Sequence, residues 1–528
     1  MRALSRRRND YRSLIWVAAV ALIVVLALTT LATSPRARLN VMQAMSMCFF
    51  AVVLFRLRGP LDRNLASTPS SSTPALWMPV LSVMLAALVW ASALNFYFIN
   101  DDFGLLVAVR NPSLKLFYSF FWIGHEIFYR PLTYATYAID HIFWGRTPAG
   151  FHLTNLLMHF ASLAGVFQMV KRLGGNRNVA AMTAGIFAAV PIQVESVAWM
   201  AGRFDVLATC LTVWTVVAYL GFRSTGRAGY YALSLLLCVL AMCSKETAFV
   251  LPILLAAIEW IVFRSLPLRR ISGFVVVGAM MFAYRWLALG GFGGYRSGSG
   301  SVVTAVGLKT LEALFVRGPS QLLLGFNWLQ PFGPLVVIVA LTAGLLMFLA
   351  LGATMTEARR RVILASIAWI VVTMIPGHFI LMIDAGLSNS RIMCLPSVGL
   401  ALLIGQLVSA TRGDRVRNLI YASLAALFSL GVLHNLGAWR WTSSLGEETL
   451  RRVVEIEPTP PPNAQFVVSN MPNDIRGVFF FATGFTEGLS LVYGRDDVQG
   501  FRDSAPEEGF PQIRLNWTGE SPALLRRE

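Results

Sequence analysis

The chain has 528 residues, of which 56% are hydrophobic and 13% charged, and its mean hydropathy is +0.62. Soluble domains carry about 25% charged residues, so a soluble globule is excluded and a polytopic membrane protein is indicated. The formal net charge of +17 lies in short basic clusters between apolar runs rather than in one basic domain, which excludes a nucleic-acid binder.

In chain order, five arginines within Met1–Arg12 precede an apolar run from Leu14 to Ala32, which reads as an uncleaved anchor. Apolar runs long enough to cross a hydrocarbon core of about 30 Å then recur, and thirteen spans are expected: 13–33, 39–55, 76–99, 151–170, 179–194, 205–222, 229–243, 247–263, 271–289, 334–352, 362–382, 392–410 and 417–434. With a cytoplasmic N-terminus, every alternate connection is a basic cluster: Arg56 with Arg58, Lys171-Arg172, Arg223 with Arg227, Arg264 with Arg269-Arg270, Arg359-Arg360-Arg361, and Arg412 with Arg415 and Arg417. That is the positive-inside pattern. The remaining connections, assigned to the outer face, hold Asp101-Asp102, Glu195, Lys245-Glu246 and Asp384.

The expected fold is an all-α polytopic membrane protein with a small extracytoplasmic, α/β-leaning C-terminal tail. Residues 1–75 form two helices and a cytoplasmic linker, 76–440 a core with outer loops 100–150 and 290–333, and 441–528 the outer tail. Within the first loop, Leu116-Phe117-Tyr118-Ser119-Phe120-Phe121-Trp122 suits the membrane interface. The five cysteines lack metal-ligand spacing and read as small core residues. No Walker loop or helical repeat is present.

The residues that carry chemistry cluster on the expected outer face. Asp101-Asp102 follows the span 76–99 directly, and ionisable groups at a membrane boundary are expensive enough to mark function; a helix N-cap is the plain alternative. Arg130, beside Pro131 in an aromatic stretch, suits either an interfacial anchor or a phosphate, which a guanidinium fork fits. His152, Asn155 and His159 share one helical face, where polar groups usually bind neighbouring helices. Glu195, Arg203 and Asp205 form a buried pair or triad, read equally as a helix-locking salt bridge or a substrate contact. Lys245-Glu246 repeats that pattern, and Arg391 enters a span with Asp384 as its nearest acid in sequence.

In order, these strings are the acidic doublet, RPL (130–132), FHLxN (151–155), PxxVESVAWxxGRxD (191–205), SKE (244–246) and SRxxxLPSxG (390–399). Together they resemble the GT-C membrane glycosyltransferases, nearest the transmembrane-and-TPR branch of protein O-mannosyltransferases, over roughly residues 76–440. Two departures stand out: Val190-Pro191 where that branch has His-Pro, and a short tail in place of the TPR array. The resemblance implies inverting transfer of a sugar from a polyprenyl-phosphate donor to an outer acceptor hydroxyl of a protein, lipid or glycan. Asp101 and Asp102 would be catalytic, and Arg130, His152, Glu195, Arg203, Asp205, Lys245, Glu246 and Arg391 substrate-binding. No metal ligand is assigned, and a divalent cation is the one cofactor left open. Membrane lipids are the other partners, and a bacterial inner membrane the expected site. A lipid-linked glycan polymerase or ligase, and a multispan transporter or flippase, are the alternatives; acids gathered at one face rather than at mid-span weigh against the last.

Overall fold

The computed structural model describes residues 35–59, 77–122, 124, 127–291, 293, 296–297, 300–301, 308–331, 333–378, 381–502, 509–519 and 525–527. The expected span 13–33 lies outside them. Twelve expected spans correspond to helices: α1 (Pro35–Arg58), α2 (Trp77–Ala91), then, beyond the first loop, α6 (Pro148–Arg172), α7 (Arg177–Ala188), α9 (Arg203–Thr225), α10 (Ala228–Met242), α11 (Leu251–Phe263), α12 (Leu268–Leu289), α13 (Leu335–Gly352), α14 (Glu357–His378), α15 (Cys394–Ser409) and α16 (Asp414–Ile456). The first loop itself folds into α3 (Asp101–Val109), α4 (Leu114–Phe121) and α5 (Pro131–Trp144), and a short α8 (Val194–Ala198) follows α7.

By length and composition, nine described helices are able to cross a bilayer, or ten if α7 and the bent segment Pro191–Ala198 count as one span. The chain is an integral, multi-pass membrane protein. Val83–Asn95 and α10 are apolar but shorter. The sequence expectation of 76–99 as one span is shortened at its end, because the helical run stops at Asn95 and residues 96–99 are extended.

The basic connections come together at one end of the bundle. Arg56 donates to the Ala353 carbonyl at 2.7 Å, Arg359 to that of Ser409 at 3.4 Å, and Arg264 pairs with Glu357 at 3.4 Å. The acidic connections gather at the other end, where α9, the Glu246–Phe263 segment and the Ser390–Ser409 segment all begin. Connections assigned to one side from charge alone are thus neighbours in space.

The largest departure from the expected boundaries is α16. The apolar stretch 417–434 continues without a break to Ile456, about 65 Å of helix at 1.5 Å per residue, so the boundary expected at 440 falls inside a helix. It continues because 435–456 hold no proline and their polar face is stabilised by i,i+3 and i,i+4 pairs of Arg451 and Arg452 with Glu448 and Glu455. Asn435 ties α16 to two neighbouring segments: its amide donates to the carbonyls of Pro191 and Gly325 at 3.0 and 2.8 Å and accepts from the Asn327 backbone N–H at 2.9 Å. Asn435→Ala is expected to cost about 1–3 kcal/mol, the penalty for orphaning buried polar groups, read as a lowered midpoint of unfolding in detergent.

The tail is a small α/β unit. Its sheet has the order β2-β1-β3-β4, with β1 (Gln465–Ser469) parallel to β2 (Gln499–Arg502) and β3 (Gln512–Trp517), and β4 (Leu525–Arg527) antiparallel to β3. α17 (Phe485–Tyr493) connects β1 to β2, and its Tyr493 ring stacks on Phe466 of β1 at 5.6 Å. The tail is docked rather than tethered: Phe481 stacks on Phe103 of α3 at 5.5 Å, and Arg110 pairs with Asp496 at 2.5 Å.

Candidate active site

A cavity of roughly 310 Å³ opens at the acidic end of the bundle. Asp101, Arg130, Tyr134, Trp199, Phe204, Asp205, Lys245, Glu246 and Arg391 line it from the core, and Thr483, Gly484 and Glu487 from the tail. Its apolar wall is built by Pro376, Gly377, Leu381 and Ile392.

Asp101 opens α3 because Asn100, at φ +51°, turns the extended segment sharply into the helix. Its Oδ1 accepts from the Asn100 amide at 2.9 Å and from the Thr483 hydroxyl. Among the described residues, Oδ2 has no partner. Asp102 has the opposite fate. It is fully buried, and its two oxygens accept the backbone N–H groups of Ile99 at 3.0 Å and Ala201 at 2.9 Å. Burial raises its carboxyl well above the ordinary value, against the lowering effect of those two N–H groups. Asp102 therefore ties α3 to the VESVAW loop and does not line the cavity.

The cations are paired, but across helices rather than with their neighbours in sequence. Arg130 gives Nε and Nη2 to Glu246, the former at 3.0 Å, and lies 4.0 Å over the Phe128 ring. Lys245 reaches Asp205 at 2.6 Å. Arg391 gives Nη1 to Glu195 at 2.5 Å and stands 5.2 Å from the Trp199 ring. Glu195 is buried behind Arg391 and also accepts from the Ser390 hydroxyl at 3.0 Å, so it supports the cavity wall without lining it. The expected partner, Asp384, instead accepts the backbone N–H groups of Gly386 and Ser388 at 2.8 and 3.0 Å in its own turn.

Two further expected site residues, Arg203 and His152, also lie off the cavity lining. Arg203 is fully buried, paired with Asp140 at 2.5 Å, and donates to Asn155 and the Phe151 carbonyl at 2.7 and 2.8 Å. Two residues apart at the start of α9, Arg203 and Asp205 point to opposite sides of the helix, so one locks the core while the other faces the cavity. His152 is buried edge-on against Phe96, and His159 stacks on Phe187. Both read as packing residues. Gly202, just before α9, approaches the Glu195–Ser196 backbone so closely that a Cβ would stand 2.2 Å from the Ser196 carbonyl oxygen, which is why glycine occupies that position of the motif.

Three basic side chains line this cavity, Arg130, Lys245 and Arg391, each paired with a carboxylate. The carboxylate of Asp101 is a separate acidic group. Among the described residues no group of three His, Cys, Asp or Glu is arranged to hold a metal.

No family model matches the chain. The human protein O-mannosyl-transferase TMTC4 is 24% identical over 468 residues, 72% of this chain and 62% of its own. Drosophila melanogaster Tmtc1 is 29% identical over 178 residues, 31% of this chain and 20% of its own. The chain resembles the GT-C protein O-mannosyl-transferases. It spans between a fifth and under two-thirds of the length of these relatives. Two solved structures are similar at low identity: ArnT from Cupriavidus metallidurans bound to undecaprenyl phosphate (TM-score 0.43, 14% identity, 84% of this chain and 94% of that one) and the apo oligosaccharyltransferase of Archaeoglobus fulgidus (TM-score 0.45, 13% identity, 80% and 64%).

Motif reading missed Thr483 and Glu487. They sit in the tail, far in sequence from the motifs, and no local pattern announces that the start of α17 folds back onto α3. Trp199 lies within a motif and Tyr134 two residues beyond one, and neither carries a charge to single it out.

Proposed function

We propose that the protein is a membrane glycosyltransferase that moves a sugar from a polyprenyl-phosphate-linked donor to an acceptor hydroxyl with inversion. The observation that carries this reading is one cavity holding the Asp101 carboxylate together with Arg130, Lys245 and Arg391. In the reaction, the acceptor oxygen attacks the anomeric carbon, Asp101 takes its proton, and the bond from that carbon to the phosphate oxygen breaks. The electron pair leaves on the phosphate. A phosphate departs without protonation, so one carboxylate suffices where glycoside hydrolysis normally needs two.

Arg391 is the favoured group on the leaving phosphate. A guanidinium has five donors in a fork that fits a phosphate, and the carboxylate paired with Arg391, Glu195, lies behind the wall, whereas Glu246 and Asp205, paired with Arg130 and Lys245, line the cavity themselves. Arg391→Lys is expected to keep the fold and lower turnover about tenfold, because an ammonium loses the bidentate geometry. Asp102 is assigned here to holding α3 rather than to proton transfer. The names of the curated relatives favour a mannosyl donor and a protein hydroxyl as acceptor.

The reading is tested with the full chain in nanodiscs, polyprenyl-phosphate mannose as donor, and a threonine-bearing peptide, a lipid and a glycan as competing acceptors. Product of inverted anomeric configuration is expected; retained configuration, or no product from any acceptor, overturns it. Repeating the assay with chelator and with added Mg²⁺ or Mn²⁺ reads the cation requirement. The cavity is further proposed to face the outside of a bacterial inner membrane. A cysteine introduced in the tail, in a Cys48→Ser background, should react with an impermeant reagent from outside, and one in the 411–416 connection only from inside. Labelling of the tail from the cytoplasmic side alone would reverse the orientation.

A further inference from the structure

The C-terminal tail shares a wall with the cavity and touches the proposed base directly. The Thr483 hydroxyl donates to Asp101 Oδ1, and the Thr483 backbone N–H donates to Asn100 Oδ1 at 2.9 Å. The same short segment therefore grips both residues of the corner that aims α3. Gly484 follows at φ +83°, and a Cβ there would stand 2.2 Å from the Asn100 carbonyl oxygen. Only glycine allows the tail backbone this close. The grip is flanked by the Phe481–Phe103 stack and, at the surface, by the Arg110–Asp496 pair, so the tail and α3 meet on both sides of Asp101.

We infer that the tail is a working part of the active site, with Thr483 as the positioning residue for the Asp101 carboxylate. The inference rests on the proposed role of Asp101. With Oδ1 accepting from Thr483 and Asn100, rotation of the carboxylate about its last bond is restricted, which leaves Oδ2 to take the acceptor proton. Such orientation matters because a base misplaced by about 1 Å loses on the order of 10²-fold. Thr483 itself exchanges no proton with substrate. The tail is thus assigned a role in turnover, which a solubilising or tethering appendage would not have.

Thr483 is exposed and Thr483→Val is nearly isosteric, so the variant should fold. With polyprenyl-phosphate mannose and a threonine-bearing peptide, Thr483→Val is expected to lower kcat about tenfold with the donor KM unchanged, and Thr483→Ser, which keeps the hydroxyl, to stay within twofold of the parent. Carbodiimide labelling of Asp101, read by mass spectrometry, needs no substrate: Thr483→Val should raise its rate several-fold and Thr483→Ser leave it unchanged. An unchanged labelling rate in Thr483→Val overturns the inference. So does an unchanged kcat in Thr483→Val when Asp101→Asn is inactive in the same assay, a result that leaves the base assignment standing. If Asp101→Asn retains transfer while the labelling rate rises, the contact is real and the base assignment is what fails.

Discussion

Asp101→Asn is expected to lower the transfer rate by about 10² to 10⁴-fold, the contribution of a positioned general base. The amide keeps the size of the side chain and can still accept from Thr483 and Asn100 through its oxygen, so folding and docking of the tail should persist. What it loses is the ability to take a proton from the acceptor. Donor binding should change little, because the groups proposed for the phosphate are elsewhere on the wall: Arg130, Lys245 and Arg391. The check is a pair of measurements on one preparation, single-turnover transfer and binding of polyprenyl phosphate. Full transfer activity in Asp101→Asn would remove Asp101 from the chemistry and turn attention to Glu487, the acid that the tail supplies to the cavity. Asp102→Asn should differ in kind. Its oxygens hold Ile99 and Ala201, and an amide oriented to satisfy one of these N–H groups turns an NH₂ toward the other, so stability falls along with activity.

Arg203→Met should damage the fold more than any other single change at this end of the bundle. Its guanidinium is fully buried among Asp140, Asn155, the Phe151 carbonyl and the Tyr137 ring, 4.3 Å away. Removing one partner of a buried pair leaves the other uncompensated and costs about 3–5 kcal/mol. Arg203→Met should therefore lose monodisperse protein or lower its melting temperature sharply. The double variant Arg203→Met with Asp140→Leu should recover much of that loss, since no unpaired charge is left behind. If Arg203→Met melts like the parent and instead fails to bind polyprenyl phosphate, Arg203 is a ligand group after all and the pairing with Asp140 is incidental.

The contrast between Arg203 and Arg391 shows where reading along the chain stops. Both were legible as functional arginines because an arginine at the mouth of an apolar helix must be neutralised. The neutralising partners were not legible. Neighbours in sequence were the natural guesses, Asp205 for Arg203, Glu246 for Lys245 and Asp384 for Arg391, and in each case the side chains diverge. Lys245 is extended, at φ −160° and ψ 148°, while Glu246 starts the next helical turn, so the two point apart and each finds a partner on another element.

The sequence by itself determined the helices, their alternation of basic and acidic connections, and the set of residues held at one end. Spans and charge bias follow from local composition, because a helix satisfies its own backbone and an apolar run of fixed length is needed to cross the hydrocarbon. It also marked Asp101, Arg130, Lys245 and Arg391, whose burial cost is visible without knowing their partners. Only the tertiary structure decided which charge neutralises which, that Asp102 and Arg203 are framework while Asp101 faces the cavity, and that α16 runs unbroken into the tail. The same holds for the tail's place in the site. Thr483 lies 382 residues from Asp101 in sequence, and a contact at that separation is set by how α3, α16 and α17 pack, through the Phe103–Phe481 stack and a glycine with no side chain in the way, and not by any pattern within either segment.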